Sequence, residues 1–128
     1  MPMLQRPNAL ALMLCDQVTF EMGTQKPSLI GIFTGMAADS FPTSPQRFDA
    51  FIALTDGLGT GTLELTVTEQ QTGNQVYVQR VQLTCPDPLR VINLRLRVRQ
   101  CSFPAPGEYL FTFTVDGQEL AHRRVRLY

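Results

Sequence analysis

The chain has no tryptophan, one histidine, one lysine and three cysteines. One histidine and three cysteines without C-x-x-C spacing exclude an ordinary zinc site, a metal knuckle and a disulfide framework. The absence of tryptophan, with tyrosines only at 77, 109 and 128, weakens the case for a carbohydrate platform, which commonly stacks sugars on aromatic rings. The apolar stretch from Ala9 to Cys15 is seven residues long, far short of the ~20 that span a bilayer. It also fails as a leader. Asp16 ends it, no small-x-small site follows, and Leu14 stands where a lipoprotein signal needs a small residue. Helical periodicity is missing from every window.

Eleven basic and eleven acidic residues cancel, which argues against a dedicated nucleic-acid or membrane-surface protein. The charge is uneven. From Pro88 onward seven arginines face three acids, and the preceding residues carry an equal acidic surplus. The two parts are expected to neutralise one another across strands, or else to leave a weakly anion-facing surface. Cys15 sits in an apolar run and reads as a buried thiol, while Cys85 and Cys101 could bridge only if their strands are neighbours.

What is present is strand pattern. Tyr109, Phe111, Phe113 and Val115 share one face, and Asp116-Gly117 follows as a hairpin turn. Seven further strands are expected: 9–20, 28–33 with Gly31 marking a bulge or close approach, 48–54, one around 63–67, 75–83, 92–99, and 118–128. Cys85-Pro86-Asp87-Pro88 is a stiff corner. Eight short strands with glycine and proline turns imply two packed antiparallel sheets, an all-β, immunoglobulin-like β-sandwich of 9–128 with a flexible arm at 1–8. The expected core includes Leu12, Leu14, Phe20, Ile30, Ile32, Ile52, Leu63, Leu65, Val67, Leu94, Leu96, the Tyr109 strand and Leu127. In the last strand Arg123 shares parity with Ala121, Val125 and Leu127, so a bulge or kink is expected near His122–Arg124.

Residues with chemistry are scattered. Gly57-Leu-Gly59-Thr-Gly61 precedes a strand rather than a helix, so it reads as a flexible hairpin loop and not a phosphate cradle. His122 lies beside two arginines and reads as a surface residue. The carboxylates form no D-x-D-x-D cluster. One surface feature stands out. Arg95, Arg97 and Arg99 alternate onto one sheet face. If the strands from 90 to 128 form a meander, Arg124 and Arg126 join them in one patch. If residues 101–107 cross between sheets, the two groups lie on opposite outer faces.

Ala105-Pro-Gly107-Glu-Tyr109-Leu-Phe111 resembles the Asp-x-Gly-x-Tyr-x-Cys segment of immunoglobulin-like domains, with Tyr109 at the tyrosine-corner position and Phe111 at that of the core Cys. Without the Cys pair and core Trp, an antibody-type domain is excluded. Cys15-Asp16, Lys26-Pro-Ser-Leu29-Ile-Gly31-Ile-Phe33, Phe41-Pro42 and Gly107-Glu-Tyr109 together resemble an uncharacterised family of small bacterial domains with no assigned activity.

The expectation is therefore a cytoplasmic, non-enzymatic module without metal or cofactor. It would dock a protein partner or its own copy through a sheet face or edge strand, and contact neither membrane nor nucleic acid. The alternative is an anion- or glycan-binding accessory domain using Arg95, Arg97, Arg99, Arg124 and Arg126.

Overall fold

The computed structural model describes residues 2–128. Among them are nine strands: β1 (Asn8–Phe20), β2 (Pro27–Phe33), β3 (Gly35–Met36), β4 (Phe48–Thr55), β5 (Gly59–Glu69), β6 (Gln75–Cys85), β7 (Ile92–Val98), β8 (Gly107–Val115) and β9 (Gln118–Leu127). They form a four-stranded sheet, β2-β1-β4-β7, and a five-stranded sheet, β3-β9-β8-β5-β6. The ninth strand, missed in the sequence, is β3. Its two residues lie parallel to Arg126 and Leu127 of β9, a pairing set by chain routing rather than by any local pattern.

Alternation explains most of the strands. Leu63, Leu65 and Val67 of β5 and Tyr109, Phe111, Phe113 and Val115 of β8 point inward. They meet Leu12, Leu14, Ala50, Ile52, Leu54, Leu96 and Val98 of the other sheet in one buried cluster. Burying each large apolar side chain contributes about 1.5–3 kcal/mol. Phe103, outside the named strands, is fully buried and meets Tyr109 edge-on, with ring centroids 4.8 Å apart at 79°. Such a pair adds about 0.5–1.5 kcal/mol beyond its area. The Asp116-Gly117 turn has φ of 48° and 85°, matching the two positive values a tight I′ hairpin requires.

Several expectations are corrected. Ile30 and Ile32 are not core residues; each is 53% exposed on edge strand β2. Leu94 and Phe20 are only partly buried, at the margins of the two clusters. The ladder runs unbroken through His122–Arg124, and the bulge falls earlier, where Leu120 is skipped between the pairs Phe113–Ala121 and Thr114–Glu119. Arg123 keeps inward parity opposite Phe111, yet it stays at the open margin. Its Nε donates to the Leu12 carbonyl of the other sheet at 2.8 Å, which explains how a charge tolerates that parity. Residues 2–7, expected as a loose arm, are held on the β4–β5 corner. The Leu4 amide donates to the Leu58 carbonyl at 2.8 Å, and the Leu58 amide donates to the Gln5 carbonyl at 2.9 Å. Gly57–Gly61 is likewise no hairpin loop, because β4 and β5 belong to different sheets. A Cβ on Gly59 would lie 2.3 Å from the Pro2 carbonyl oxygen, so that glycine admits the N-terminal segment.

One departure from alternation matters for function. Cys15 and Val18, three residues apart, are both buried in a second cluster with Phe51 and Ala53. A straight strand cannot send residues three apart to the same side. The β1–β2 hairpin turns over at Asp16 and Gly31, where Gly31 adopts φ +69° and leaves no room for a Cβ beside the Asp16 carboxylate. Beyond that point Val18, Phe20 and Leu29 lie across the outer face of the four-stranded sheet.

Candidate functional site

The arginine ladder is the natural starting point, and it proves to be three different residues. Arg97 stands directly opposite Asp49 across the β4–β7 ladder. Its Nε lies 3.5 Å from Asp49 Oδ1, at ion-pair distance but outside hydrogen-bond alignment. Asp49 has no exposure, and its second oxygen accepts the Val18 amide at 2.8 Å. Arg95 donates to the Val18 carbonyl at 3.0 Å and sits 5.8 Å from the Phe20 ring centroid. These contacts pin the overturned hairpin at Val18 from both its N–H and its C=O. Arg99 lies beyond β7 and is exposed.

Arg124 and Arg126 lie on β9 in the other sheet, because β7 and β8 belong to different sheets. The five arginines therefore do not meet in one patch. Two of the three in the ladder are already engaged by the protein itself.

Sequence reasoning missed Asp49. Its signal is the run Phe48-Asp-Ala-Phe-Ile-Ala-Leu54, apolar on both strand faces. A strand buried on both sides leaves an interposed acid nowhere to be solvated, so it must find a donor and a cation.

The other reactive groups are dispersed. Cys15, Cys85 and Cys101 are free and buried. Burial pushes all three thiols up, that of Cys101 to about 12, and for Cys15 the Asp49 carboxylate adds to the effect. Thiols held protonated are poor nucleophiles. His122 is exposed, with Nδ1 2.7 Å from Glu119 Oε2. Among the described residues no three His, Cys, Asp or Glu side chains are grouped to hold a metal ion. The same residues contain no helix long and apolar enough to cross a membrane.

The two sheets differ sharply in what they leave open. On β4, every residue from Phe48 to Leu54 is buried, because the hairpin covers its outer side. On β5 and β8, the outward residues Thr62, Glu64, Thr66, Thr68, Leu110, Thr112 and Thr114 all remain accessible. Pairing aligns them in rows: Arg80–Glu64–Thr114–Glu119, Val78–Thr66–Thr112–His122, and Gln75–Thr68–Leu110–Arg124. The centre of this face is uncharged and largely β-branched. Its margin carries both signs, Arg80, Glu64, Glu119, Glu108, Arg124 and Arg126. The Arg80–Glu64 ion pair spans β6 and β5 one row from the Thr66–Thr112 pair.

Tyr109 anchors the strand that carries Leu110, Thr112 and Thr114. Its ring is fully buried, its hydroxyl donates to the Ala105 carbonyl at 2.6 Å, and the Ala105 amide donates back at 3.3 Å. Burial raises the phenol above its usual range, so it remains a donor.

No curated protein matches the chain. Among the solved structures that share its fold are two larger proteins. One is a β-glucosidase, EmGH1, from Erythrobacter marinus, with TM-score 0.56 and 12% identity over 97% of this chain and 16% of that protein. The other is the Pseudomonas fluorescens alkylpurine DNA glycosylase AlkC, bound to DNA containing an abasic site analog, with TM-score 0.52 and 11% identity over 94% of this chain and 30% of that one. In both cases the chain spans less than a third of the other protein's length, and at these identities the likeness is one of fold alone. Residues 10–127 match the model of a family of unknown function, DUF6941, and the chain belongs to that family.

Proposed function

We propose that this chain is a non-enzymatic protein-interaction module, built as an immunoglobulin-like sandwich, that docks a protein partner on the outer face of β9-β8-β5-β6. The architecture is supported by strand order. β1, β4 and β7 fall where strands A, B and E of that fold would lie, and β5, β6, β8 and β9 fall at C, C′, F and G. The Tyr109–Ala105 hydrogen bonds, just before and within the strand at position F, match the tyrosine corner.

The observation that carries the functional reading is the asymmetry between the two outer faces. One is covered by the chain's own hairpin; the other has an uncharged centre and a charged margin. Protein interfaces have this make-up, depleted of charge at the core and polar at the rim. An anion- or glycan-binding role would draw on Arg95 and Arg97, whose guanidinium groups already serve Val18 and Asp49.

The test is a Thr66→Glu, Thr112→Lys double variant, whose opposite charges face one another across the β5–β8 ladder. The lysine stem lies along the face with its head in water, so the fold should persist. Immobilised wild type should retain a partner from the source lysate, and the double variant, melting at the same temperature, should lose it. Identical retained sets would refute the reading.

A further inference from the structure

We infer that the gap between the two sheets beside β2 and β9 binds a short aliphatic carboxylate. The sandwich parts here because the chain changes sheets. β2 ends at Phe33 in one sheet and β3 begins at Gly35 in the other, with Thr34 as the step between them. On β9 the inward position facing this step is Arg123. Its guanidinium goes to the Leu12 carbonyl of the other sheet, so no apolar side chain fills the space. What remains is a cavity of about 80 Å³ walled by Met13, Leu14, Ile32, Phe33 and Val125. An apolar cavity of about 150 Å³ holds a benzene ring, so one of this size takes roughly the four carbons of a branched aliphatic chain.

The polar groups at the cavity favour an anion. Arg123 Nε is taken up by Leu12 at 2.8 Å and Nη2 lies 3.4 Å from the Met13 sulfur, while Nη1 has no hydrogen-bond partner among the described residues. Among the same residues no carboxylate stands at ion-pair distance from Arg123, and none lines the cavity. The β9 backbone supplies a second donor. The Arg126 amide donates to the Thr34 carbonyl at 3.3 Å, so alternate amides of β9 face the β3 side. Arg124, two residues earlier, also lines the cavity, and its amide faces the same way where β3 has not yet begun.

A guanidinium and a main-chain N–H at the edge of one apolar cavity, with no acid beside them, fit a ligand that is apolar at one end and anionic at the other. A free short-chain acid presents that chemistry. So does the C-terminal valine or leucine of another protein, a carboxylate close to a branched aliphatic end.

Amide NMR of the full chain, titrated with 3-methylbutanoate, tests this. The acid should shift the Phe33, Thr34, Arg124 and Val125 amides saturably, with a Kd of about 1 mM for so few non-hydrogen atoms. Acetate, which lacks the tail, and 3-methylbutanamide, which lacks the charge, should each bind about tenfold more weakly. Arg123→Gln should lose the acid. Val125→Ile keeps Arg123, fills part of the cavity, and should weaken binding while melting like the wild type. Should Arg123→Gln fail to fold, the ligand series on the wild type still decides. An acetylated peptide ending in valine that binds more tightly than the free acid would give the site to a protein C-terminus, and one that binds less tightly would give it to the acid; either supports the site. No saturable shift with the acid or the peptide overturns the inference, as does an amide that binds as tightly as the acid. Shifts confined to residues away from the cavity overturn it too. The Thr66→Glu, Thr112→Lys variant should bind the acid normally, so this inference and the docking face fail separately.

Discussion

The amide of Val18 donates to Oδ2 of Asp49 across 2.8 Å, so a carboxylate with no solvent exposure holds the overturned half of a neighbouring hairpin in place. The same carboxylate faces Arg97 on the next strand. One acid thereby ties together β1, β4 and β7 on the side of the sheet away from the main core.

Removing that acid should cost more than any surface change. Asp49→Ala leaves the Val18 N–H without its acceptor and Arg97 without its counter-charge, a loss of about 3 kcal/mol. Asp49→Asn keeps an acceptor for Val18 and should lose about 1–2 kcal/mol. Urea unfolding measures both. An Asp49→Ala midpoint equal to the wild type would show that the hairpin is not held this way.

The arginine ladder should come apart residue by residue. Arg97→Gln leaves Asp49 buried without a cation and should cost about 2 kcal/mol, the guanidinium's own partial exposure reducing the full buried-pair figure. Arg95→Gln should cost about 1 kcal/mol through the Val18 carbonyl and the Phe20 ring. Arg99→Gln should fall within about 0.5 kcal/mol of wild type. Equal, negligible effects at all three positions would show that neither Arg95 nor Arg97 holds the hairpin.

Much of this was legible in the sequence, and the failures have a common cause. Tyr109, Phe111, Phe113 and Val115 revealed a strand, a face and a turn because period two and Asp-Gly chemistry are local. The Tyr109–Ala105 hydrogen bond is local too, joining residues only four apart. Arg95 and Arg97 were correctly placed on one outward face, yet nothing local says that residues 18–20 lie across it. Ile30 and Ile32 were misread as core because alternation cannot tell an edge strand from a central one. The threonines at the centre of the outer face of β5 and β8 are visible in the sequence. That this face stays open while the other face is covered is a property of the hairpin's turn at Gly31.

Tyr109→Phe should cost about 1–2 kcal/mol, since it strips two hydrogen bonds from a buried corner and leaves the Ala105 carbonyl and amide without partners. The ring packing against Phe103 persists, so a larger loss would mean that the corner does more than hold the 105–109 turn. Chemical denaturation with an unchanged slope is the check.

Alkaline pH should weaken the fold through the buried Cys101 thiol. Burial raises the Cys101 thiol from 9.0 to about 12, which means that the fold favours the protonated form. That contribution is fully present below pH 9.0 and is lost as pH climbs through about 12. The urea midpoint should therefore decline with rising pH across this window, and less steeply in Cys101→Ala. An identical decline in the variant would remove Cys101 from the explanation.

The docking face is tested most directly by a photo-activated cross-linking residue placed at single positions in the living source cell. Thr112 lies at the centre of the open face, and Gln17 lies on the exposed side of the covering hairpin. The account predicts a discrete protein adduct from position 112 and none from position 17. Adducts from 17 alone, or from neither position, would contradict it.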